Sequence, residues 1–84
     1  MKHLYLLRNL NRHVHVNGFS ACIVCAETPE KAVLFHPDGM SQWNGERWSD
    51  GNSDWNVPDN IQCLYIGHAD QELSIGVVVA NRDS

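Results

Sequence analysis

The sequence predicts an α+β fold: a four-stranded, mainly antiparallel sheet with one short helix packed on one face, in the order β-β-α-β-β. Three observations carry this. Four windows, residues 3–10, 19–26, 61–67 and 73–80, combine alternation with β-branched, aromatic and leucine content. A single helix start stands at Thr28-Pro29-Glu30. Apart from the 37–60 stretch, the connections are short, which favours neighbouring antiparallel strands over parallel crossovers. At 84 residues the chain supports one core, so 1–84 is read as a single domain.

In the first strand window Leu4, Leu6 and Leu10 alternate with Tyr5, Leu7 and Asn9. Residues 13–16 read His-Val-His-Val, and Asn17-Gly18 supplies a positive-φ pair suited to a hairpin before the strand Phe19 to Ala26. At Thr28 a hydroxyl can accept from an orphan amide, Pro29 is preset for the first helical position and Glu30 complements the helix dipole. The helix is expected to run over 29–36, because Pro37 disfavours helical geometry in the residue before it. Ala32, Phe35 and His36 can share its inward side, which leaves Val33 and Leu34 facing out as a possible contact pair. The 37–60 stretch has no periodicity and is either a functional excursion or conceals a helical turn. The last two strands, 61–67 and 73–80, are joined by the polar turn Ala69-Asp70-Gln71-Glu72.

The formal charge of −4 is unevenly spread. The first twenty residues hold Lys2, Arg8 and Arg12 with no carboxylate, while the rest sets ten acids against Lys31, Arg47 and Arg82, a net −7. Phosphate neutralisation needs a basic face, so direct nucleic-acid binding is not expected. No apolar run reaches the roughly 20 residues of a membrane helix. Arg8 interrupts the N-terminal apolar stretch before it attains the length of a secretory signal. Together with three cysteines, too few and too odd for a disulfide scaffold, this places the chain in a cytoplasm with reduced thiols.

Four constellations invite a chemical reading. Cys22-Ile23-Val24-Cys25 has the spacing of redox and zinc pairs, but residues three apart in a strand point to opposite faces, so buried structural thiols are expected. A zinc site joining Cys22 or Cys25 to Cys63 and His68 is the alternative. His13 and His15 share a strand face and can chelate one metal, yet no spacing supplies a third ligand. The Asp50-to-Asp54 segment imitates the start of a calcium loop, but Trp55 and Ile61 stand where its glycine and glutamate belong. No nucleophile elbow, phosphate loop or metalloprotease helix is present, so neither catalysis nor a cofactor is expected. The feature that points to function is the loop holding Trp43, Trp48 and Trp55 among Glu46, Asp50 and Asp54. Aromatic anchors with interleaved carboxylates suit a basic protein surface, whereas the competing reading has the tryptophans closing the core.

The block FSACIVCAETPEKAVLFHPDG from Phe19 to Gly39, the tryptophans that follow, Ile66-Gly67-His68-Ala69 and Gly76-Val77-Val78-Val79-Ala80 together resemble a family of small phage- and prophage-encoded proteins of unknown function. In that family a strand ending in an Ala-Glu-Ser/Thr-like cap leads to a short helix ending in His-Pro. The likeness spans almost the whole chain; the cysteines and the HVHV segment depart from the pattern. It implies an accessory protein of the host cytoplasm that binds a host protein, such as a component of an antiviral defence complex. The expectation is therefore a protein-binding module without catalysis, acting through Trp43, Glu46, Trp48, Asp50, Asp54 and Trp55. A small His/Cys metal protein or enzyme, and a homo-oligomeric phage component, are the alternatives, and a homodimer is compatible with the binding module itself.

Overall fold

The computed structural model describes residues 1–9, 19–49, 55 and 58–82. Its order is β1 (His3–Asn9), β2 (Phe19–Ala26), α1 (Pro29–Ala32), a 3₁₀ turn (Pro58–Asn60), β3 (Ile61–His68) and β4 (Gly76–Arg82). The strands form one antiparallel sheet in the order β3-β1-β2-β4, with the short helix packed against it, so the α+β class holds.

Because β1 is central, its register fixes what each face carries. Leu7 faces Cys22 on one side and Cys63 on the other, and Cys22 faces Ala80. Tyr5 likewise faces Val24 and Tyr65, and Val24 faces Val77. Cross-strand partners share a face, so these two rows, apart from Tyr65, which is exposed on the edge strand, make the floor of the core. On them pack Ala32, Trp48 and Trp55, with Val33, Phe35 and Trp43 at the margin. Fully burying Leu7 or Val24 contributes roughly 1.5–3 kcal/mol each, which a four-residue helix with few hydrogen bonds of its own needs from its surroundings. The opposite face carries Leu64, Leu6, Ile23 and Val79 in one row.

Two expectations are corrected. The helix ends at Ala32 rather than His36. Thr28 caps it as expected, its Oγ1 accepting from the Lys31 amide at 3.2 Å. The next amides tighten: Leu34 donates to the Lys31 carbonyl and Phe35 to that of Ala32. Phe35 then leaves the turn to bridge Gln42, a pairing that helical geometry would forbid. Val33 consequently packs at the margin of the core, and only Leu34 of the expected outward pair is exposed.

The second correction concerns the last strands. β3 and β4 are not neighbours joined by a four-residue turn; they lie at opposite edges of the sheet. Their connection must cross three interstrand spacings, about 14 Å, which takes residues 69–75. β4 therefore starts at Gly76, where φ is +136°, rather than at Leu73. Lys2 Nζ holds the crossing by donating to the carbonyls of Gln71 and Leu73, both at 2.8 Å. Among the described residues, no helix is long and apolar enough to cross a membrane.

Candidate partner-binding surface

The described part of the stretch between helix and β3 passes over the core, packing Phe35, Trp43, Trp48 and Trp55 on it. Its first turn is built on Asp38. The carboxylate Oδ1 accepts from the amides of Met40 and Ser41, both at 2.8 Å, and the Ser41 hydroxyl donates to Oδ2. Partial burial alone would raise the pKa of Asp38, but these hydrogen bonds and the neighbouring His36 outweigh it and hold the carboxyl below its ordinary value. Gly39, at φ +76°, lets the chain reverse there. His36 is buried at 3% exposure, its Nδ1 accepting from the Asp38 amide at 3.1 Å and its ring edge-on to Trp48.

A small hairpin follows over residues 42–49. Trp43 pairs with Trp48, and the Ser49 amide donates to the Gln42 carbonyl at 2.9 Å. The side chain of Asn44 closes the tip: its Oδ1 accepts from the amides of Glu46 and Arg47 at 2.8 and 2.9 Å. Gly45 takes φ +102° in that tip. Glu46 and Arg47 are exposed at its apex.

The expected site residues thus divide. Trp48 and Trp55 are 4% and 3% exposed and belong to the core, so neither is the surface anchor the sequence reading made of it. Trp43 is half-buried, its ring 5.3 Å from that of Trp48 in an edge-on contact, and Glu46 in the same hairpin is exposed. Asp50 and Asp54 lie outside the described residues, as do His13 and His15. Near the hairpin in sequence, Leu34 and Met40 are exposed large hydrophobics.

The cysteines follow the strand argument. Cys22 lies in the core row, whereas Cys25 pairs with Leu4 and Gly76 in a row of the opposite face. Burial pushes the Cys22 thiol up to about 12, and burial, with Glu30 beside it, raises Cys63. Both shifts work against a thiolate nucleophile or ligand. Cys22 and Cys63 sit on either side of Leu7 in the register, and His68 is five residues further along β3, so the three do not converge. Among the described residues no three His, Cys, Asp or Glu side chains gather as a metal-holding group.

Sequence reasoning missed one cluster, at the end of the sheet. His3 pairs with His68 across β1 and β3, their rings 5.2 Å apart, with Tyr65 5.5 Å from His3 and 5.9 Å from Tyr5. The only signal was a His and a Tyr close to the start of one strand window, His3 and Tyr5, and close to the end of another, Tyr65 and His68, uninformative until the pairing of β1 with β3 is known. Neither protein-family models, nor curated proteins, nor solved structures give a match to this chain.

Proposed function

We propose that the protein is a binding module that acts by occupying a basic surface of another protein, without chemistry of its own. The observation that supports this best is the 42–49 hairpin. It is stiffened by its own hydrogen bonds, rests on buried Trp48 and carries half-buried Trp43 and exposed Glu46. A tip already ordered before contact loses little entropy on binding, which favours affinity per unit area. Charge points the same way: the 27–60 segment holds seven of the ten acids against Lys31 and Arg47. The resemblance to small phage proteins narrows the proposal to an inhibitor of a host factor in the host cytoplasm, such as a defence complex whose basic groove the acidic side fills.

The test compares three immobilised proteins in a lysate of the bacterial host: wild type, Trp43→Ala and Glu46→Lys. One host protein should be retained by wild type at low salt and lost with both variants, whose thermal melts stay near wild type. Retention of nothing by wild type, or equal retention by all three, would sink the proposal.

A further inference from the structure

The side of the sheet away from the helix is the second surface: its central row is open, whereas the row of Leu4, Cys25 and Gly76 is closed over, Cys25 being 0% exposed. Its central row is Leu64–Leu6–Ile23–Val79, one residue from each strand in spatial order β3-β1-β2-β4, and all four are apolar. The outer two project, at 41% exposure for Leu64 and 54% for Val79. Between the projections lies a depression of about 150 Å³ lined by Leu6, Ala21, Cys22, Ile23, Val79 and Ala80, without a charged residue. The strands contain no Asp or Glu, although the chain has ten acids. A sheet made for one-sided burial alternates apolar and polar residues; β2 (FSACIVCA) and the start of β4 (GVVVA) do not. This sheet is composed to be covered twice; the chain's own helix and tryptophans cover one face, and of the other the chain closes the Cys25 end and leaves the Leu64–Val79 row exposed at its ends.

We propose that the second cover is another copy of the same chain, packed sheet face to sheet face about a twofold axis. Three properties of the face argue for that occupant. First, the row is self-complementary. A twofold running along the strands sets Leu64 of one copy over Val79 of the other and brings Leu6 and Ile23 together at the centre, so the projecting ends flank a shared apolar middle. Second, charge permits it. Two molecules of charge −4 repel, but all the acids lie off the strands, and Arg8, in the neighbouring row with Ala21 and Gln62, is the charged residue described on this face. Third, the area is right. Four strands of seven or eight residues give a whole-sheet footprint of roughly 480 Å² per copy, an upper limit because the Cys25 row is already covered, so two copies bury at most close to the roughly 1,000 Å² that separates a specific interface from a chance contact. An interface at that lower limit makes a dimer that dissociates on dilution. Its geometry is a two-sheet sandwich with about 10 Å between layers.

Sedimentation across a concentration series tests this on the full chain, with the double variant Leu64→Gln, Val79→Thr beside wild type. The substitutions add no charge, touch exposed side chains and keep β-branching at Val79, so folding should persist; a melt of the dilute protein verifies it. Wild type should pass from monomer to dimer at micromolar to submillimolar concentration, and the double variant should need at least tenfold more protein. Trp43→Ala should dimerise like wild type, which separates this contact from the partner-binding hairpin. Wild type that stays monomeric up to about 1 mM overturns the proposal. So does a dimer that the double variant leaves unchanged, since that contact would run through the β3 or β4 edge or the helix side instead.

Discussion

At the residue scale the three tryptophans differ in kind. Trp48 and Trp55 are almost wholly withdrawn from water, and the His36 ring lies near both, edge-on to Trp48 and tilted to Trp55, with ring centroids 5.1 and 6.4 Å away. Truncating either leaves a cavity over the sheet that a four-residue helix cannot collapse to fill. Trp48→Ala and Trp55→Ala should each cost about 3–5 kcal/mol in denaturant unfolding. Trp43→Ala removes a ring already partly in water and should cost less than half as much. Equal losses at all three positions would show that Trp43 is core as well, and would remove the aromatic part of the proposed contact. Sequence could not sort them, because each tryptophan stands among similar polar neighbours. Burial is decided by which of them lands on the Tyr5, Leu7, Cys22 and Val24 floor.

At the element scale, local rules were legible and long-range ones were not. The boundaries of β2 and the cap at Thr28 follow from nearest neighbours alone and stand as read. The end of the helix depended on Phe35 finding Gln42, and the start of β4 on a crossing between opposite edges of the sheet; both are tertiary facts. The Asp38 turn is the element whose chemistry pH can reach. The Asp38 carboxyl has its folded pKa below the ordinary value, because the ionised form accepts from Met40 and Ser41. A group lowered in this sense stabilises the fold above its unfolded pKa, near 3.9, and that stabilisation fades as pH falls through the still lower folded value. Asp38→Asn should therefore be less stable than wild type at neutral pH, and the gap should close below about pH 4. A gap that persists unchanged at pH 3 would mean that the side chain acts there by shape alone and that its charge is irrelevant.

At the scale of the whole molecule, the chain is divided by charge as well as by layer. In sequence, the 27–60 segment between β2 and β3 holds seven of the ten acids, and the strands carry none. The two proposed contacts therefore differ in their physics and should respond oppositely to ionic strength. Binding of a basic partner by exposed Glu46 gains from attraction across an exposed boundary, which salt screens; the Debye length shrinks from about 10 Å at 0.1 M to about 3 Å at 1 M. The sheet-face dimer has no attraction of that sort to lose. What salt weakens there is the mutual repulsion of two chains of charge −4, while burial of Leu64, Leu6, Ile23 and Val79 is unaffected or slightly favoured. Raising sodium chloride from about 0.05 to about 0.5 M should thus weaken partner binding several-fold, chiefly through slower association, and leave the dimer dissociation constant equal or lower. Association rates and sedimentation at matched salt measure the two. A dimer that dissociates as salt rises would place ion pairs in the self-contact, where the strands supply no carboxylate to make them, and would move that contact to the acidic side of the molecule.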